Sequence, residues 1–344
     1  MTTKKVQYFD LLNIAACFSV VVLHCNQMVH SWQPGKNWLA ALAIEVLFYW
    51  AVPVFFMLSG ATLMRYRDRY DTRTFLKKRF KKTAIPFVAW SFVLYLTVSV
   101  PLRSAHLGPR TFIDLMLNNG IEQVYWFFFP LFSIYLTMPI ISLIADQKRT
   151  ILYGVVLSFA LQGVFPYLFP ALGLTWNWAL SIPVFSGMLM YVGIGYLLAT
   201  TDISAGWRSV IYISGIASMV FRFLYTAHNS QLAMVVDRTY FNYSAFPAVF
   251  QAMAVFTLAK QLELRRSPNL IPTRLQPAVT ALSACSFGVY LIHKPVLDCI
   301  VLGLFNVSAQ SIGLRTAGPI ILYLSCCGVV YLAKKTRVGN LVFP

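Results

Sequence analysis

The sequence predicts an all-α, polytopic membrane helix bundle. Three observations predict it: 58% of the 344 residues are hydrophobic and 11% charged, ten apolar runs stand between charged breaks, and the cations gather on one side of those runs. A soluble domain carries about twice that charged fraction, and a mean hydropathy of +0.66 excludes a water-soluble globule. A formal charge of +17 would suit a nucleic-acid binder only if the cations shared one water-facing surface. Here apolar runs interrupt them throughout, so no nucleic-acid partner is expected.

A hydrocarbon core roughly 30 Å thick needs about 20 helical residues. The runs cover 11–29, 39–64, 83–102, 124–145, 151–169, 179–199, 209–226, 245–259, 278–304 and 317–333. The first follows Lys4 and Lys5 as a signal peptide would, but no small-residue cleavage site follows and His24 interrupts it, so it is expected to remain a helix. The second carries Glu45 and ends at Arg65; the third lies between the basic stretch 65–82 and Arg103; the fourth and fifth are parted by Asp146, Lys148 and Arg149. Asp202 and Arg208 divide the sixth from the seventh, Lys260 closes the eighth, Arg274 precedes the ninth, and Lys334 closes the tenth.

With both termini cytoplasmic, only Lys36, Arg103, Arg110, Arg238 and Arg315 fall outside, while Arg222 and Lys294 lie within spans. The remaining 21 of the 28 Lys and Arg are then inside, which is the positive-inside bias. No loop is long enough for a soluble domain and no repeat is present, so residues 1–344 are expected to form a single membrane domain. The six cysteines all lie in apolar segments without metal-ligand spacing, and they read as small hydrophobes with no metal.

Ionisable groups inside a membrane usually face a polar cavity. At helical rise His24 stands about 20 Å from the cytoplasmic end of its span and Glu45 about 9 Å below the outer end of the next. Arg222 and His293 also fall in outer halves, with Lys294 and Asp298 close behind. A shared polar pocket is the economical reading. The competing one is that each group bonds a neighbouring helix or snorkels to the interface, and for Arg222 and Asp298 this is the simpler reading. The segment from Arg65 to Lys82 holds nine cations against Asp68 and Asp71. It could hold a polyphosphate, but on residue type alone anionic lipid heads or topology is the simpler reading.

Several strings occur in order. The first span has Tyr8-Phe9-Asp10-Leu11-Leu12-Asn13 with His24 eleven positions beyond Asn13, and the second ends Phe55-Phe56-Met57-Leu58-Ser59-Gly60. Arg79-Phe80-Lys81-Lys82 precedes the third span, Tyr125-Trp126-Phe127-Phe128 opens the fourth, and Ser286-Phe287-Gly288-Val289-Tyr290-Leu291-Ile292-His293 lies in the ninth. In this order and spacing the chain resembles the acyltransferase-3 family of bacterial membrane acyltransferases, which act on surface glycans and similar acceptors. The resemblance covers nearly the whole chain. It departs at Asn13, where members often carry Arg, at Lys82 in place of the second Arg of a pair, and at Pro53 in place of an acidic residue.

The resemblance implies an O-acetyltransferase of the bacterial cytoplasmic membrane that moves acetyl from cytoplasmic acetyl-CoA to a sugar hydroxyl of a surface polysaccharide or its lipid-linked precursor. His24 would be the general base, Glu45 would fix its tautomer, and His293 or Arg222 would stabilise the oxyanion. Arg73, Lys78, Arg79 and Lys82 would hold the CoA phosphates. Trp126 and Arg222 would contact the acceptor. Membrane lipid and a glycan are the expected partners, and a homodimer is allowed. Two alternatives stay open: a transporter or flippase for a lipid-linked sugar, with Pro53, Pro183 and Pro295 as span breakers, and a non-catalytic subunit of a polysaccharide synthesis complex.

Overall fold

The computed structural model describes residues 6–266 and 270–343, and Lys4 and Lys5 lie outside the described residues. Helix α1 (Gln7–Cys25) is followed by α2 (Lys36–Phe48) and α3 (Ala51–Leu63). The last two form one membrane-length segment broken at Tyr49–Trp50, because Pro53 has no N–H and its ring collides with the carbonyl of Tyr49 four residues earlier. Next come α4 (Thr72–Leu94), a π-helical turn at Tyr95–Ser99, α5 (Val100–Arg103), α6 (Pro109–Leu117), a 3-10 turn at Gln123–Phe127 and α7 (Phe128–Ile141). The chain continues through α8 (Lys148–Ser158), α9 (Phe165–Ala171), α10 (Leu189–Thr200), α11 (Ala205–Ala233) and α12 (Phe246–Arg266). It ends with α13 (Gln276–Pro295), a π-helical stretch Val296–Leu304, α14 (Ile312–Thr316), α15 (Gly318–Ala333) and α16 (Gly339–Val342).

The protein is an all-α, polytopic membrane helix bundle. Among the described residues seven helical segments are long and apolar enough to cross a membrane, so the expected count of ten is not supported. The sixth expected span shortens to the 12 residues of α10, the tenth to the 16 of α15, and the eighth becomes α12, whose second half carries Lys260, Glu263, Arg265 and Arg266.

Those charges have local work. Glu263 accepts hydrogen bonds from the backbone N–H groups of Tyr8 (2.7 Å) and Gln7 (3.3 Å), placing a carboxylate on the positive end of α1. Lys260 donates to the Leu198 and Thr201 carbonyls, both at 2.9 Å, and Lys148 donates to the Thr200 carbonyl, so two ammonium groups close the negative end of α10.

The chain divides into two compact units, Met1–Tyr66 with Ile140–Ser283, and Arg67–Pro139 with Ala284–Pro344. In the first, α3 lies against α10 through two glycines: a Cβ on Gly60 would overlap the Val192 carbonyl, and one on Gly195 the Met57 backbone. Small residues at such a crossing let backbones approach where lipid supplies no hydrophobic drive. The Phe-Phe-Met-Leu-Ser-Gly string is thus a packing device.

In the second unit the 3-10 turn is clasped to α13. Pro295 leaves the Leu291 carbonyl without its helical donor, and the Tyr125 hydroxyl takes that place at 2.9 Å; in return the Tyr290 hydroxyl donates to the Val124 carbonyl. The aromatic string before α7 and the string in α13 therefore form one interlocked pair.

Candidate functional site

His24 ends α1, and Glu45 lies on α2 of the same unit. His24 occupies the last turn of α1 and is half-buried, and its carbonyl accepts from the Gln27 amide at 2.5 Å. Two residues on, the buried Asn26 donates to the Ala41 carbonyl (2.8 Å) and to Glu45 Oε2 (3.2 Å), fixing the carboxylate at the chain reversal after α1. Asn26 is thus a holder of Glu45 that the sequence reading missed. Its position next to His24 and Cys25, at the end of an apolar span, was the available signal.

Arg222 departs most from the simpler sequence reading. It does not snorkel: it is fully buried, and none of its three guanidinium nitrogens has a hydrogen-bond partner among the described residues. Its guanidinium carbon lies 4.5 Å from the centre of the Tyr49 ring and 5.5 Å from that of Phe241. Tyr191, Tyr243 and Glu45 also lie within electrostatic range, and Arg238 joins Arg222 around Glu45. Tyr49 and Tyr243 stack at 4.7 Å. A buried ion without a partner costs several kcal/mol even after relaxation, whereas a desolvated aromatic face returns about 2 kcal/mol. The rings do not offset the burial.

The helix geometry explains how Arg222 is turned inward. The buried residues of α11 are Gly215, Ser218, Arg222, Thr226 and Ser230, spaced 3, 4, 4 and 4 apart, while its other faces present Ile213, Ile216, Val220 and Leu224 outward. The stripe turned to the protein is small and polar. One turn beyond Arg222, the Thr226 hydroxyl is also buried without a partner.

Asn13, at the position where the family often has Arg, donates its side-chain amide to the Ser283 carbonyl (2.9 Å) and hydroxyl (3.1 Å). In this chain it ties α1 to the start of α13.

The second unit holds the remaining expected site residues. His293 is fully buried, with Nδ1 at 2.8 Å from the Tyr290 carbonyl and 3.0 Å from that of Val289. Two carbonyls at one nitrogen require a proton there, which leaves Nε2 as the basic nitrogen of the neutral ring. Lys294 and Asp298 pair with each other at i,i+4 within one helical segment. Trp126 sits half-buried in the 3-10 turn, its ring edge-on to Phe127.

The basic segment is mostly helix. The Asp71 carboxylate accepts from the Thr74 N–H (2.7 Å) and hydroxyl (3.0 Å) and caps α4, so Arg73 to Lys82 occupy its first three turns. These hydrogen bonds, the one from the Thr74 N–H foremost, hold the Asp71 carboxyl below its ordinary range. Arg73, Lys78 and Lys82 are exposed, with Lys78 over the Tyr70 ring at 4.3 Å. Arg79 is half-buried and lies 6.0 Å from the centre of the Phe75 ring, and its Nε is buried without a hydrogen-bond partner among the described residues.

The same unit contains an apolar cavity of about 1060 Å³ between Trp90, Leu94, Leu102, Ile292, Leu297 and Leu322. It offers no acid or base. None of the six cysteines forms a disulfide. Among the described residues no group of three or more His, Cys, Asp or Glu stands together as metal ligands.

The protein is a multi-spanning bundle with an imidazole, a carboxylate and an unpartnered guanidinium in one unit and a cation-rich helix start in the other. A family model described as an acyltransferase domain matches residues 6–334, and the chain belongs to that family, the acyltransferase-3 family of bacterial integral-membrane acyltransferases. No curated protein and no solved structure gives a match to the chain.

Proposed function

We propose that the chain is an O-acetyltransferase of the bacterial cytoplasmic membrane, acting with residues 1–344 as one catalytic domain and both termini in the cytoplasm. The observation that carries the reading is the family match over 6–334, which takes in every candidate site residue. Acetyl-CoA enters from the cytoplasm, where Arg73, Lys78, Arg79 and Lys82 take its phosphates. The acceptor is a hydroxyl of a surface glycan or its lipid-linked precursor, contacted by Arg222. Helices α10, α12 and α15 complete an even number of crossings, and the basic residues set the orientation.

His24 acts as general base. As the acceptor oxygen attacks the thioester carbonyl, the imidazole takes the hydroxyl proton; the C–S bond then breaks, and the imidazolium returns the proton to the CoA thiolate. The products are the O-acetyl ester and CoA. Glu45, held by Asn26, is the carboxylate proposed to support the imidazolium. His293, with its proton directed to Nδ1, is the second imidazole proposed for catalysis.

Purified protein given acetyl-CoA and membrane glycan fractions should release CoA thiol only when a competent acceptor is present. A transporter or an inert subunit releases none, and that outcome would end the transferase reading.

A further inference from the structure

The first unit contains more unanswered hydrogen-bonding capacity than a His–Glu pair uses. Three observations converge on Glu45–Tyr49 at the end of α2. Arg222 lies over Tyr49 with all three nitrogens unpartnered. Asn26 donates to Glu45 but its Oδ1 is buried and unpartnered. Gln251 donates to the Val46 (2.9 Å) and Leu47 (3.0 Å) carbonyls, and its Oε1 is likewise buried and unpartnered. The Thr226 hydroxyl, one turn from Arg222, adds a further group. Buried polar atoms are satisfied in nearly every native structure by protein, water or ligand, and a buried charge such as the Arg222 guanidinium is normally paired, which points to an anionic ligand here.

The chemistry of that ligand follows from the open atoms. A guanidinium presents a planar fork of donors that matches an oxyanion, and it cannot give up its charge. Arg222 and Arg238 around the single carboxylate of Glu45 leave the neighbourhood in positive excess. Amide oxygens accept from hydroxyls, so the open oxygens of Asn26 and Gln251 suit a hydroxylated ligand. Resting on the glycan-acceptor reading above, we infer that the acceptor is an anionic glycan whose non-reacting oxyanion, a sugar carboxylate or a sugar phosphate, is bound by Arg222, with Asn26, Gln251 and Thr226 meeting its hydroxyls.

The test is binding of three probes to the purified full chain in micelles: methyl β-glucuronide, glucose 1-phosphate and the neutral methyl β-glucoside. At least one anionic probe should bind about 10- to 100-fold more tightly than the glucoside, the range for losing a hydrogen-bonded charge contact. Which anionic probe wins separates carboxylate from phosphate. Arg222→Gln should erase the preference. Arg222→Met should raise thermal stability, because it removes a buried charge that nothing in the protein pairs. Equal affinity for all three probes, binding of none, or an undiminished preference in Arg222→Gln would overturn the inference. A less stable Arg222→Met protein would do so too, because it would mark the guanidinium as a structural group. Since binding is read without turnover, anionic preference with no acetyl transfer would overturn the transferase reading alone. Transfer to a neutral glycan undiminished by Arg222→Gln would overturn this inference alone.

Discussion

Replacing Gly60 or Gly195 with Ala tests the packing that joins α3 to α10. In an exposed helix interior Gly→Ala gains about 1 kcal/mol of propensity. Here each added Cβ meets main-chain atoms of the facing helix, which cannot rotate away, so the helices must separate by more than an ångström. Overpacking of this kind costs about 1 to 3 kcal/mol, and the propensity gain offsets only the low end. Both substitutions demand the same separation, so the double variant should lose about 1 kcal/mol less than the sum of the singles. Gly328 of α15, around which a Cβ meets nothing within 4 Å, is the control, and its alanine variant should be neutral or more stable. Unfolding of purified protein in mixed micelles by SDS, followed by tryptophan fluorescence, measures all four. If Gly60→Ala and Gly195→Ala behave like Gly328→Ala, the close approach is absent.

Three further outcomes are expected. Tyr125→Phe and Tyr290→Phe should each lower stability by about 1 to 3 kcal/mol, the penalty for leaving a buried carbonyl unsatisfied; micelle unfolding reads it, and a neutral Tyr125→Phe would remove the clasp from the account. Because the Asp71 carboxyl is held below its ordinary range, its contribution to the start of α4 is present above the unfolded-state value and is lost as pH falls through the lowered one. Protection of the Thr74 amide, its exchange taken relative to the intrinsic rate at each pH, should therefore fall in acid, and Asp71→Asn should blunt that pH dependence; unchanged protection across the range would count against the cap. Replacing both Arg79 and Lys82 by Gln should weaken CoA binding about tenfold or more without unfolding the protein, whereas unchanged affinity would leave the segment to topology and lipid.

The fold class was legible because lipid demands long apolar helices, and the family strings were legible in order. The inward face of α11 was not. In a membrane the outer face is as apolar as any core, so apolar periodicity no longer marks the inside. Its inward stripe is the reverse pattern, Gly215, Ser218, Arg222, Thr226 and Ser230, and reading it would have buried Arg222. The seven-segment count was hidden for another reason: Lys148 and Lys260 look like inner-loop cations, yet both act on the carbonyl end of a 12-residue helix. Gln251 was out of reach because its partners are backbone carbonyls that no side-chain pattern announces.

The most direct measurement of the central claim is acetyl transfer by purified His24→Ala, with its thermal stability and CoA affinity read on the same sample. General-base catalysis supplies about 100- to 10,000-fold, so the account predicts a folded, CoA-binding protein that has lost transfer by at least the lower figure. A folded, CoA-binding His24→Ala protein that transfers at nearly the full rate would contradict it and leave His293 as the imidazole to test.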